Sequence, residues 1–176
     1  MTVRIARLVG LAALALAVYV LMWVGFALAL IVVALARRNL RVALFLVISV
    51  ELSGLVTEAV KAAANRPRPA DALVHAPTTS FPSGHALGVM VGVPALLTVV
   101  SPVVRRPRPV WLIAVGAIVV IAIGVGRVVL NVHHISDVLA GWALGYGWFA
   151  VCALIVPPVA PITAADETPV APGSSR

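Results

Sequence analysis

Charged residues and cysteine are both scarce in this chain. Only 11% of its 176 residues are charged, whereas a soluble domain carries about 25%. A protein so poor in charge cannot cover a water-facing surface, which excludes an ordinary soluble globular domain. The single cysteine, Cys152, excludes an intramolecular disulfide and a cysteine metal cluster, and its apolar neighbours predict a small packed side chain.

Apolar sequence dominates the chain, with 62% hydrophobic residues and a mean hydropathy of +1.11. At about 20 residues per crossing, five segments are long enough to span a bilayer, and helix is favoured because unpaired backbone groups are costly in lipid. We predict an all-α, polytopic transmembrane helix bundle of five, or six, spans over residues 1–157, followed by a disordered tail over 158–176. The five segments are Val9–Ala36, Val42–Val60, Ala86–Val104, Val110–Leu130 and Val138–Val156.

The first segment permits three interpretations. Its length of about 28 residues is long for one crossing and short for two, so a tilted single helix and a tight hairpin are both open. A signal peptide is the third, since Arg4 and Arg7 precede the run and Ala34-Leu35-Ala36 resembles a cleavage site. The apolar core of a signal peptide has only about 7–15 residues, which favours a retained membrane helix.

The connections between segments alternate in character. Two are short and basic, which is typical of cytoplasmic loops: Arg37, Arg38 and Arg41, then Arg105, Arg106 and Arg108. The other two, 61–85 and 127–137, hold the unusual polar residues, and we expect them on the extracytoplasmic side of the plasma membrane. The net charge of +7 is thus a topology signal, and we expect membrane lipids and no nucleic acid as partners.

Residues that lipid tolerates poorly lie at the ends of these segments. Antiparallel helices with short connections bring four such ends to one side of the membrane, where ionisable groups are usually functional. Alone, each group has an ordinary interpretation, such as a lysine that reaches the interface or a serine that caps a helix. Together they predict a phosphate site, because cations and a free helix N-terminus both bind anions. The group consists of Lys61, Arg68, Ser83, Gly84, His85, Arg127, His133 and Asp137.

His133 and Asp137 are four residues apart, and if that stretch is helical they share one face. A carboxylate that accepts the hydrogen of one ring nitrogen leaves the other nitrogen able to attack. His134 competes as the nucleophile, but it would point about 100° around that helix. The alternative for Asp137 is a helix cap and nothing more.

Three spaced motifs together resemble those of the type-two phosphatidic acid phosphatase superfamily. They are Lys61-x6-Arg68-Pro69, Pro82-Ser83-Gly84-His85 and Arg127-x5-His133-x3-Asp137. Their order and internal spacing both agree with the family pattern. Two positions depart from it: Gly126 stands where the family usually has serine, and Asn131 where it often has glycine.

The resemblance implies a role for each residue. It implies that His133 forms a phosphohistidine, that Asp137 orients it, and that His85 protonates the leaving group. It implies a phosphate cradle and no metal or other cofactor, in keeping with the lack of an acidic cluster for magnesium. The cradle would consist of Lys61, Arg68, Arg127, Ser83 and Gly84.

The expected substrate is a lipid phosphate or diphosphate, such as an isoprenoid diphosphate, phosphatidic acid or phosphatidylglycerol phosphate. Two alternatives stay open. A lipid-linked phosphotransferase would use the same residues, and a non-enzymatic protein could bind or transport an anionic lipid. The presence of a nucleophile with its partners favours an enzyme over a binding protein.

Overall fold

The fold is a bundle of helices, seen in a computed structural model that describes residues 25, 27–70, 72–73, 78–104 and 110–158. These residues form five helices and no strand, which confirms the all-α prediction. By length and composition α2, α4 and α5 can each cross a membrane, while α1 and residues Gly84–Val99 of α3 are shorter apolar helices. The helices are α1 (Ala27–Ala36), α2 (Leu40–Ala64), α3 (Gly84–Val104), α4 (Val110–Val129) and α5 (Ile135–Ile155).

Four of the five predicted segments correspond to α2 to α5, with shifted ends. Helix α2 continues to Ala64, so Lys61 lies inside its last turn instead of closing it. Helix α5 begins at Ile135, three residues before the predicted start, because its first turn is polar and escapes a search for apolar sequence. The predictions for residues 1–24, the basic loop 105–109 and the tail 159–176 fall outside the described residues.

Helix α2 contains a π-helical segment at Val47–Glu51. The widened turn is tied to α5, because Trp148 Nε1 donates a hydrogen bond of 3.0 Å to the Ser49 carbonyl. Beyond it, Ser53, Thr57 and Lys61 are all buried, and they lead along one side of α2 to the polar end of the bundle. The hydroxyls of Ser49, Ser53 and Thr57 are each satisfied by a main-chain carbonyl of α2 itself.

An apolar core joins α1, α2, α3 and α5. Phe45 and Leu46 of α2 are almost fully buried there, beside Ala95 of α3 and Cys152 of α5. Cys152 is a free, buried thiol, as predicted.

Helices α3 and α5 pack so closely that two glycines of α5 touch the backbone of α3. A Cβ atom on Gly141 would lie 2.7 Å from the Ser83 carbonyl oxygen, and one on Gly145 would lie 2.6 Å from that of Leu87. Small residues four apart are a common means of close helix approach in membranes. This contact fixes the start of α3 against the start of α5, where the predicted site lies.

Gly145→Ala is expected to destabilise the protein. The added methyl cannot fit against a rigid backbone oxygen, so α5 must shift at a cost of about 1–3 kcal/mol. A lower Tm in detergent would report this. Gly147→Ala is the matched control, because nothing lies within 4 Å of its Cβ position, and it should keep or slightly raise the Tm. Equal Tm values for the two variants would contradict the close contact.

Candidate active site

The structure gathers the predicted residues at one end of the bundle. Lys61 lies in the last turn of α2 and Arg127 in the last turn of α4, while Gly84 begins α3 and Asp137 lies in the first turn of α5. His85, the second residue of α3, is within electrostatic range of four others: Arg127, His133, Lys61 and Arg68. The convergence inferred from the helix ends is therefore present in the fold.

His133 lies in the loop before α5 and not on the helix. His134 is the N-cap, with an extended backbone (φ −73°, ψ 157°), so the condition for His133 and Asp137 to share a helical face is not met. The His133 ring is held instead by Ser80, whose carbonyl oxygen lies 2.7 Å from Nδ1. Since a carbonyl only accepts, Nδ1 must carry the hydrogen, and Nε2 keeps its lone pair.

The unprotonated Nε2 atom of His133 faces a cation. It lies 3.4 Å from Arg68 Nη1. The other contacts of this guanidinium fix its plane, since Nη1 donates to the Val132 carbonyl at 2.8 Å and Nε to the Thr78 carbonyl at 2.6 Å. A phosphate bound to Arg68 would therefore lie next to the nitrogen that is able to attack it.

Asp137 is fully buried and has three interactions. Its carboxylate accepts hydrogen bonds of 2.8 Å from the His134 amide and from Arg66 Nη1. The His133 Nδ1 atom is more distant, at 3.6 Å from Oδ2. Asp137 thus caps α5, as the alternative interpretation held, and also places a negative charge beside the His133 ring without being its closest acceptor.

Arg66 and Ser80 belong to the site although the sequence analysis gave neither a role. The Arg66 carbonyl accepts the Ser80 amide at 2.8 Å, and the Ser80 hydroxyl donates to the Pro67 carbonyl at 2.9 Å. The Arg66-Pro67 segment therefore holds the carbonyl that orients His133. The only sequence signal was the arginine two residues before Arg68. Ser80 gave none, because it acts through its main chain.

Lys61 is buried and turned towards the loop that precedes α3. Its Nζ donates to the Thr78 hydroxyl at 2.9 Å and to the Thr79 carbonyl at 3.3 Å. The charges of Arg68 and Arg127 both act on this ammonium group. Three cations are thus held close together; the Glu58 carboxylate also acts on Lys61, and a bound anion would offset more of the repulsion among the cations.

The N-terminus of α3 carries a buried hydroxyl. Ser83 is fully buried, and its Oγ has no hydrogen-bond partner in the described part of the chain. The predicted cap is therefore not formed by this hydroxyl, which stays available to a ligand. The Ser83 amide donates to the Asp137 carbonyl at 2.9 Å, which joins the starts of α3 and α5. A Cβ on Gly84 would lie 3.2 Å from the methyl of Thr57, so the start of α3 also packs tightly against α2.

The two departures from the family pattern have different structural settings. Asn131 adopts a left-handed backbone with φ 51°, a conformation that favours glycine and that asparagine tolerates better than most residues. The turn before His133 is therefore preserved. At Gly126, nothing lies within 4 Å of a Cβ position.

The protonation of His133 follows from its surroundings. Burial, and then the positive charge of Arg68, lower the pKa of His133 to about 4, while the Ser80 hydrogen bond and Asp137 act in the opposite direction. The ring is therefore neutral at physiological pH. As for metals, the described residues include no group of three or more His, Cys, Asp or Glu side chains that could hold an ion.

Comparison with known proteins gives a family match over most of the chain. Residues 42–160 match the model of the PAP2 superfamily. Phosphatidylglycerophosphatase B of Bacillus subtilis is 36% identical over 95 residues, which are 52% of this chain and 46% of that protein. An undecaprenyl-diphosphatase of Sulfolobus acidocaldarius is 33% identical over 88 residues, 50% of this chain and 38% of that one.

A third relative and a solved structure agree with these. Lipid A 1-phosphatase of Rhizobium etli is 33% identical over 125 residues, 64% of this chain and 49% of that protein. The chain therefore spans about half, or less, of the length of these curated relatives. The crystal structure of a transmembrane PAP2-type phosphatidylglycerolphosphate phosphatase from Bacillus subtilis has a TM-score of 0.63 at 26% identity, covering 79% of this chain and 73% of that one.

We expect the His133 ring to be neutral, with its hydrogen on Nδ1, from about pH 5 to about pH 8. Its pKa is lowered, so protonation begins only as the pH falls towards 4, and acid removes the nucleophilic lone pair. NMR of protein labelled with ¹⁵N-histidine in micelles would measure this, with His133→Ala to assign the signal. A midpoint near the ordinary value of about 6.5, or a hydrogen on Nε2, would contradict the geometry.

Proposed function

Because the chain belongs to the PAP2 superfamily, we propose that it is an integral membrane phosphatase that hydrolyses a lipid phosphate or diphosphate through a phosphohistidine on His133. The three curated relatives are named for lipid phosphatase activities, on phosphatidylglycerophosphate, undecaprenyl diphosphate and lipid A. Apolar helices long enough to cross a membrane support a multi-pass membrane protein.

The observation that carries this proposal is the orientation of the His133 ring. Nδ1 lies 2.7 Å from the Ser80 carbonyl, so the lone pair is on Nε2. Nε2 in turn lies 3.4 Å from Arg68 Nη1, in the direction of the clustered cations. A histidine that served only packing would not need a fixed tautomer directed at a phosphate-binding group.

The cradle consists of groups that favour negative charge. Lys61, Arg68 and Arg127 supply three positive charges, and the start of α3 supplies the Ser83 hydroxyl and the Gly84 amide. These groups would bind the non-bridging oxygens and stabilise charge in the transition state of phosphoryl transfer. Hydrogen bonds to the protein hold Lys61 and Arg68 in place without a ligand, so little reorganisation of these two side chains is required.

The first step is an in-line displacement at phosphorus. The Nε2 lone pair of His133 forms a bond to phosphorus while the bond from phosphorus to the leaving oxygen breaks. His85 gives a proton to that oxygen, so the alcohol or phosphate leaves neutralised. The imidazole becomes positively charged in the phosphohistidine, and Asp137, with Oδ2 3.6 Å from Nδ1, offsets this charge.

The second step returns the enzyme to its first state. A water molecule attacks the phosphohistidine, His85 now accepts its proton as a base, and the nitrogen–phosphorus bond breaks. Inorganic phosphate leaves and His133 is neutral again. No step requires a metal ion.

The lipid tail would lie between helices. An apolar groove of about 280 Å³ runs between α4 and α5, with Val129 and Ile135 at the end that adjoins the site and Trp142 further along. A substrate could therefore keep its hydrocarbon in the membrane while its phosphate reaches His133. The groove has no charged lining residue, so it suits an isoprenoid diphosphate, phosphatidic acid and phosphatidylglycerol phosphate alike.

We also propose that the site faces the extracytoplasmic side of the plasma membrane. Helix α2 begins next to Arg37, Arg38 and Arg41 and carries Lys61 near its other end. At 1.5 Å per residue, its 25 residues span about 37 Å, enough to separate the two ends by a bilayer. Short basic loops stay in the cytoplasm, so the other end lies outside.

Purified protein is expected to release phosphate from at least one of three lipids in the presence of a chelator. The panel is a polyprenyl diphosphate, phosphatidic acid and phosphatidylglycerol phosphate. His133→Ala should lower the rate by a factor on the order of 10³ or more, because it removes the nucleophile. Phosphate release measured by a colorimetric assay checks this, with a [³²P]-labelled lipid to trap the phosphohistidine.

His134→Ala is the matched control and should retain activity. If His134→Ala lost phosphate release while His133→Ala kept it, the nucleophile would be His134 and not His133. Transfer of the label to a lipid acceptor in place of water would indicate a phosphotransferase. In sealed right-side-out vesicles, external vanadate should inhibit the enzyme; inhibition only after the vesicles are opened would contradict the proposed orientation.

A further inference from the structure

The hydroxyl of Thr78 lies between two of the cations. Lys61 Nζ donates to Thr78 Oγ1 at 2.9 Å, and Arg68 Nη2 donates to the same atom at 3.2 Å. The Thr78 side chain is exposed at the site end of the bundle. It is therefore a neutral group held in the centre of a cationic cluster and open to a ligand.

The hydrogen of this hydroxyl has no acceptor among the described residues. A threonine hydroxyl has two lone pairs and one hydrogen. Ammonium and guanidinium groups only donate, so Lys61 and Arg68 occupy the two lone pairs and leave the hydrogen to be donated elsewhere. Among the residues that the structure describes, no acceptor for that hydrogen lies within hydrogen-bond distance. The group is thus a donor whose position is fixed by two phosphate-binding cations.

We propose that Thr78 is a substrate-binding residue that donates its hydroxyl hydrogen to a non-bridging oxygen of the phosphate. The inference rests on the proposed function, because it requires a phosphate bound by Lys61 and Arg68. Lys61 Nζ and Arg68 Nη2 each keep one hydrogen that their contacts with segment 78–79 do not use, so a phosphate oxygen beside the hydroxyl would accept from these cations and from Thr78 together.

The position of Thr78 along the chain supports this role. Two residues later, the Ser80 carbonyl holds the Nδ1 hydrogen of His133. The same guanidinium that contacts Thr78 approaches His133 Nε2 at 3.4 Å. Segment 78–80 therefore contacts both the phosphate-binding cations and the nucleophile, which places Thr78 within reach of a phosphate that His133 can attack.

The hydroxyl can be removed without releasing the cations. Arg68 Nε is also held by the Thr78 carbonyl at 2.6 Å, and Lys61 Nζ by the Thr79 carbonyl at 3.3 Å. These main-chain contacts persist in Thr78→Val, a substitution of nearly the same shape. A loss of affinity in this variant would therefore report the missing donor and not a displaced cation.

The test measures the binding of inorganic phosphate and of orthovanadate to the purified full chain by titration calorimetry. Thr78→Val should weaken the binding of both anions about 10- to 100-fold, the range for a hydrogen bond to a charged group. Thr78→Ser should stay within a few-fold of the original protein, because it keeps the hydroxyl. Thr98→Val is the control: it removes a hydroxyl bonded to the Pro94 carbonyl within α3, and should leave binding unchanged.

Each outcome decides the question. Unchanged binding in Thr78→Val would overturn the inference and leave the proposed function intact. Tighter binding would also overturn it, because the hydroxyl would then compete with phosphate for the cations. If the original protein neither binds these anions nor releases phosphate from the lipid panel, the proposed function fails, and this inference fails with it.

Discussion

A buried carboxylate holds the polar end of this bundle together. Asp137 has no exposed surface, and a charge in such a place is tolerated only when donors surround it. The donors come from different segments: Arg66 from the loop after α2 and the His134 amide from the turn before α5. The Asp137 carbonyl adds a third link, to the Ser83 amide at the start of α3. The hydrogen bonds of one acidic residue thus fix three pieces of backbone, and His133, the proposed nucleophile, lies among them.

Much of the fold and of the site could be predicted from the sequence, for two separate reasons. Long apolar runs reveal membrane helices, because only helices satisfy their backbone in lipid. Spaced motifs predict Lys61, Arg68 and His133 as residues of the candidate site, because phosphate chemistry uses such side chains. What could not be predicted acts through geometry: the Ser80 carbonyl that orients His133, and the start of α5 at Ile135, which left His133 outside the helix. A main-chain carbonyl can accept a hydrogen bond whatever its side chain, so the residue type at position 80 did not indicate its role. An apolar pattern shows which residues contact lipid, but it does not show where the helical hydrogen bonds begin.

The candidate site is specific for a phosphate group, whereas the apolar groove beside it is much less specific for the rest of a lipid. The polar contacts at the end of the bundle surround the cations and His133, whereas the groove between α4 and α5 presents only hydrocarbon and an indole. Relatives named for a glycerophospholipid, an isoprenoid diphosphate and lipid A share the family with this chain. The groove of this chain has no charged lining residue, and such a groove distinguishes hydrocarbon tails only by size and shape. Discrimination among tails of similar width is worth only a few kcal/mol in such a groove.

The π-helical turn in α2 affects the direction of Lys61. From Phe45 to Lys61 the buried side of this helix includes residues at a spacing of four: Phe45, Ser49, Ser53, Thr57 and Lys61. That spacing drifts around a regular helix by about 40° at each step, or about 160° over the four steps. The wide turn takes up one residue with almost no added rotation, which offsets about 100° of this drift and keeps these residues on one side of the helix. Losing one residue from the wide turn would straighten it into regular helix and leave Lys61 directed at the cradle. The same loss elsewhere in α2 would swing Lys61 by about 100°. Helix α2 can therefore lose one residue at this turn without a change in the direction of Lys61, and the turn lies far from the candidate site.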